Sequence, residues 1–119
     1  MAAVRTRSLD REDRHLEYSL AAEKWELVPL LERRIDSLSS TEAARVQCAR
    51  IELLRPAIVV ADRLFERVSA SGRVSLADAL HRTLRVHGTT VISAISSREE
   101  LAFHDTVLVL NNGQSGAPA

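Results

Sequence analysis

LSSTEAARVQCAR (38–50) runs into LLRPAIVVAD (53–62), and further on GTTVISAIS (88–96) gives way to DTVLVLNNG (105–113). Asp36, Ser37, Ser39, Ser40 and Thr41 are helix-cap formers. A helix starting near Ser39 or Ser40 places Glu42 in its first turn, where negative charge is favourable. Val46, Ala49, Ile51, Leu53 and Leu54 fill the apolar side of that helix, and Pro56 stops it. Ala57 to Ala61 is a short, β-branched apolar run bounded by proline and Asp62, which predicts a strand buried on both faces, as in parallel sheets. Ser71-Gly72 predicts a turn. Val74, Leu76, Ala77, Leu80 and Leu84 predict a helix up to His87, closed by Gly88. Thr89 to Ile95 is the next predicted strand. Ser96 and Ser97, followed by Glu99 and Glu100, then open a short helix through Phe103. Thr106 to Leu110 is the last predicted strand, and Asn111-Asn112-Gly113 is a tight-turn signal with nothing left to pair after it. Helix alternating with strand makes this an α/β chain with a small, mostly parallel sheet.

Upstream, residues 1–8 read as a disordered lead and 9–37 as a helical segment. Leu9, Leu16, Leu20 and Leu27 give partial helical spacing, and Pro29 predicts a break near Val28. Leu30 to Ile35 forms a second short piece with Glu32, Arg33 and Arg34 on a solvated face. Trp25 anchors this segment in the core. Residues 114–119 read as a tail.

At 119 residues the chain is one domain. Its 16 basic and 16 acidic side chains cancel, so no global field draws it to nucleic acid or an anionic membrane. An aromatic content of 3% leaves no base-stacking platform. The single cysteine, Cys48, excludes an internal disulfide, suits a reducing compartment and reads as a buried, inert thiol. No apolar run reaches the roughly 20 residues that cross a bilayer, so the expected location is the cytoplasm, without direct membrane insertion. His15, His81, His87 and His104 lack metal-ligand spacing. No G-x-S-x-G elbow is present.

From Leu38 onward the chain resembles the C-terminal half of ATP-binding-cassette (ABC) transporter ATPase domains, a degenerate, truncated P-loop-NTPase-like unit over 38–113. That family carries LSGGQ, an R-V-x-x-A-R helix and a proline, then an apolar strand ending Asp-Glu, Gly-Thr-Thr-Val-Ile, a switch histidine, and a strand like D-R-V-L-V-L-x-x-G. Here the corresponding residues are LSSTE at 38–42, Arg45-Val46, Ala49-Arg50, Leu54-Arg55-Pro56, Ile58-Val-Val-Ala-Asp62, Gly88-Thr-Thr-Val-Ile92 and Asp105-Thr-Val-Leu-Val-Leu110. Each piece is weak alone. Their order and spacing together carry the resemblance.

The departures matter as much. Arg63 stands where the family has its general-base glutamate, Ser96 at the switch-histidine position, and Ser69 at the aspartate of the following loop. Ser40 and Thr41 replace two signature glycines. None of the four glycines forms G-x-x-x-x-G-K-[ST], so the expectation is no phosphate cradle, no hydrolysis in cis and no cofactor, with ATP present only if a partner subunit supplies it. The resemblance implies a vestigial nucleotide contact in trans at Ser39, Ser40, Thr41 and Glu42, through a helix N-terminus and a hydroxyl. An ordinary N-cap accounts for the same residues and is the favoured reading. Asp62, the vestigial Walker B aspartate, has no neighbouring carboxylate and reads as paired with Arg63 or capping a turn. Glu66 lies too far along the chain to replace the missing glutamate.

In the resembled family the phosphate-loop strand lies between the switch-histidine strand and the last strand. Without it, 89–95 faces an open edge that invites pairing with another chain. The expected function is therefore that of a catalytically inactive binding or regulatory subunit, with a homodimer, a transporter-type ATPase or a membrane subunit as partner. The alternative is an all-helical binding protein resembling flagellar export chaperones, which must turn 57–61, 89–95 and 106–110 into helices against their propensity.

Overall fold

A computed structural model describes residues 11–95, 98–111 and 113–115. The elements are helix α1 (Arg11–Lys24), short 3₁₀ turns at Val28–Leu30 and Ile35–Ser37, and helix α2 (Ser40–Leu54). Strand β1 (Ile58–Asp62), helix α3 (Ala70–His87), strand β2 (Thr90–Ala94) and a 3₁₀ turn at Arg98–Phe103 follow. Strands β3 (Leu110–Asn111) and β4 (Gln114–Ser115) end the described chain. β1 and β2 pair in parallel, Val59 opposite Val91 and Val60 opposite Ile92. The Thr90 N–H donates to the Ala57 carbonyl at 3.0 Å, and the Arg63 N–H to the Ala94 carbonyl at 2.8 Å, continuing the ladder past both ends. A parallel pair joined through a helix overturns the all-helical alternative.

The core lies on one side of this pair. α3 turns Ala77, Leu80 and Leu84 inward at helical spacing, α2 does the same with Ala44, Cys48 and Ile51, and Val59 and Ala61 meet them from β1. β1 is thus buried on one face, not on both as its unbroken apolar run predicts. Ile58, Val60 and Ile92 remain 46, 55 and 59% exposed on the other face, because no described layer covers it.

α1 inverts the leucine pattern. Leu16 and Leu20 are exposed, whereas Ala21, Ala22 and Trp25 are buried, since small side chains let α1 approach its neighbours closely. Leu9 lies outside the described residues. The predicted turn at Ser71-Gly72 is instead the first turn of α3. Ser69 is its N-cap, accepting from the Gly72 N–H at 3.3 Å. A Cβ on Gly72 would sit 3.0 Å from Val68 Cγ1 and 3.1 Å from Ser69 Oγ, so glycine there makes room for the cap. Thr106 to Val109 forms no strand. Among the described residues, Leu110–Asn111 pairs with Gln114–Ser115, so the tight-turn signal does have a partner strand after it, contrary to expectation. A β-prone segment with no neighbouring strand has nothing to bond to. Other boundaries follow the sequence: α2 ends at Arg55 in the left-handed region (φ 43°) before Pro56, and α3 at Gly88 (φ 69°). Among the described residues, no helix is long and apolar enough to cross a membrane.

Candidate functional site

The segment expected to meet nucleotide is locked into its own helix. Ser39 Oγ accepts from the Glu42 N–H at 3.1 Å, and Glu42 Oε1 accepts from the Ser39 N–H at 2.8 Å, a reciprocal capping box. That backbone hydrogen bond from Ser39, aided by the Arg33 and Arg45 guanidinium groups, holds the Glu42 carboxyl below its usual range. Ser39→Ala should cost about 1 kcal/mol, because the Glu42 N–H loses its acceptor. Denaturant melts check this, and a midpoint unchanged from wild type would show that water caps the helix equally well.

Ser39, Ser40 and Gln47 line one wall of an open groove whose other wall is Arg63, Glu66 and Arg67. Thr41, Glu42 and Asp62 do not line it. Asp62 projects from the end of β1 with its side chain 84% exposed. Arg63, at φ 51°, lies 3.9 Å from Asp62 Oδ1 and 3.8 Å from Glu66 Oε1. The groove's charged wall is therefore mixed in sign, and the residue after the strand-end aspartate is a cation that cannot accept a proton from water. Ser96 lies outside the described residues.

Three arrangements escape the sequence because they join distant segments. Glu52 accepts from Trp25 Nε1 at 2.9 Å and Lys24 Nζ at 2.7 Å, and His87 Nε2 lies 3.9 Å away, so α1, α2 and α3 meet at one carboxylate. Burial raises its pKa, but the Lys24 and Trp25 hydrogen bonds, with the charges of Lys24 and His87, outweigh that and leave it lowered. Arg73 joins the loop after β1 to the turn after β2. His81 stacks on Phe103 at 5.8 Å and meets His104 edge-on at 4.7 Å. No such pairing is visible in the spacing of these residues along the chain. Cys48 is fully buried, and that burial pushes its thiol up to about 12, so it is inert as expected. No group of three metal-ligating side chains occurs among the described residues.

Burial, then the charges of His104 and Arg85, depress His81 to about 4. Asp78 and Asp105 oppose this, and Arg82 and Glu100 border the same face. Between pH 6.5 and 4 the unfolded chain binds the extra proton and the folded one does not, so stability is full above 6.5 and falls as pH drops through that window. Thermal melts should follow that slope, and His81→Gln should flatten it. An equal slope in both proteins would assign the effect to the carboxylates instead.

The parallel β1–β2 pair, its crossover helix and the capped helix before it form an α/β unit of the βαβ kind. The chain is homologous to part of the ABC transporter ATP-binding protein and shares its fold. It is 37% identical over 84 residues to an ABC transporter ATP-binding protein of Pyrococcus furiosus, a match covering 71% of this chain and 31% of that protein. It is 32% identical over 110 residues to the energy-coupling factor transporter ATP-binding protein EcfA1 of Streptococcus sanguinis, covering 87% and 40%. The sn-glycerol-3-phosphate import ATP-binding protein UgpC of Rhizobium meliloti is 28% identical over 119 residues, covering 97% and 34%. The chain thus spans about a third of the length of these relatives. Among solved structures, the ADP conformation of an ATP-binding cassette of an ABC transporter aligns with a TM-score of 0.65 at 23% identity, over 92% of this chain and 43% of that one. No family model matches the chain.

Proposed function

We propose that this segment is a non-catalytic, ABC-ATPase-like binding unit that regulates or completes a larger, transporter-type complex. The observation that carries the reading is the outer face of the sheet, where Ile58, Val60 and Ile92 present apolar surface on a parallel pair, an arrangement that ordinarily needs cover on both faces. Arg63 in place of a general base and the closure of Ser39 into a capping box support a role without hydrolysis. The partner is a second copy, a transporter-type ATPase subunit or a membrane subunit, engaged on the cytoplasmic side, and ATP enters only with that partner. The direct test is calorimetric titration of the purified chain with ATP, together with recovery of bound proteins on the tagged chain with and without ATP. No heat at millimolar nucleotide and recovery of a transporter subunit are expected. Micromolar ATP affinity in the chain alone would overturn the reading.

A further inference from the structure

Open parallel sheets bind ligands beyond the carboxyl ends of their strands, so the two loops leaving β1 and β2 are the working edge of this fold. One side chain joins them. Arg73, in the first turn of α3, donates through Nε to the Phe65 carbonyl at 3.2 Å and through Nη2 to the carbonyls of Val68 at 3.0 Å and Glu66 at 3.4 Å. The same guanidinium lies 3.8 Å from Glu100 Oε1 and 3.9 Å from Glu99 Oε2, in the 3₁₀ turn that follows β2. The Arg73 side chain is 18% exposed and that of Glu100 is 10% exposed, so this ion pair is shielded from solvent, whereas Glu99 is half-exposed.

We propose that Arg73 is a latch coupling the loop after β1 (63–69) to the turn after β2 (98–103), so that the two open and close together. The chemistry suits arginine: a planar guanidinium can hydrogen-bond the three carbonyls through Nε and Nη2 while its delocalised charge attracts the two nearby carboxylates, a geometry that a lysine ammonium does not offer. Phe65 and Val68 are buried against the core while the backbone between them turns its carbonyls toward Arg73. Releasing the carboxylates frees the guanidinium to swing, and the carbonyls then lose their donor. This holds whether or not the chain is catalytically inactive, because it concerns only how the two loops communicate.

The test is hydrogen exchange on the full chain, comparing wild type with a Glu99→Gln/Glu100→Gln double variant and with Arg73→Met. The isosteric double variant leaves Arg73 itself and its carbonyl acceptors in place. Both variants should speed exchange at least about fivefold in 98–104 and also in 65–69, the range of a coupling free energy between sites. Peptides from α1 and α2 (11–54) should be unchanged. Acceleration of 98–104 alone in the double variant would show two independent loops and overturn the proposal. Equal acceleration everywhere, 11–54 included, would reduce Arg73 to a general stabilising residue and also overturn it. Should Arg73→Met fail to fold, the double variant still decides.

Discussion

Trp25→Ala is expected to remove about 3–5 kcal/mol of stability, a large fraction of the roughly 5–15 kcal/mol that a domain possesses. Trp25 is 3% exposed at the junction of α1 with the core, so truncation opens a cavity that the neighbouring helices close only in part. The loss is not only volume. Its indole N–H satisfies Glu52 Oε1 at 2.9 Å, and Lys24 lies 5.4 Å above the ring while bonding Glu52 and Thr83, each at 2.7 Å. Removing the indole therefore loosens a carboxylate that joins three helices. Trp25→Phe separates the two effects: it keeps most of the apolar volume and loses the donor, for an expected cost of about 1–2 kcal/mol. Urea melts followed by circular dichroism read both variants. An alanine variant with a wild-type midpoint would mean that α1 contributes nothing to the cooperative unit.

The parts of this fold that were readable in advance are those whose signals are local. Ser39 and Glu42 lie three residues apart and bond to each other's backbone, so the α2 start is written within one turn. Gly88 closes α3 because the left-handed φ of 69° there suits a residue without Cβ. The strand-end pairing of Asp62 with Arg63 is likewise a matter of adjacent residues. What misled were the inferences that needed a particular neighbouring layer or strand. The run Ile58 to Ala61 shows that a strand forms but not whether a layer covers each face. Leu16 and Leu20 are more hydrophobic than Ala21 and Ala22, yet close helix approach favours the alanines. Thr106 to Leu110 has strand propensity and no strand beside it. The groove that sets Ser39 across from Arg63, the His81–His104 contact and the Arg73 latch bring together residues more than twenty positions apart, and propensity carries no term for them.

The same one-sided sheet leads to the largest effect on association. Val60 and Ile92 are register partners in the parallel pair and both point outward, 55 and 59% exposed. Covering the exposed half of two such side chains is worth about 1–1.5 kcal/mol each, so a partner seated on this face should lose affinity by about thirtyfold or more when both are made charged. Val60→Lys with Ile92→Glu is the informative pair. Neither side chain meets the core, and an opposite-charge pair across neighbouring strands offsets part of the strand propensity lost. The isolated variant should therefore melt within about 1 kcal/mol of wild type, as substitutions on an exposed surface usually do. Light scattering on the purified chain and partner recovery from its native cells supply the two readouts. Weakened association at unchanged stability would place the partner on this face. Association that survives both charges would leave the face bare in the complex, and with it would fall the observation on which the proposed function rests.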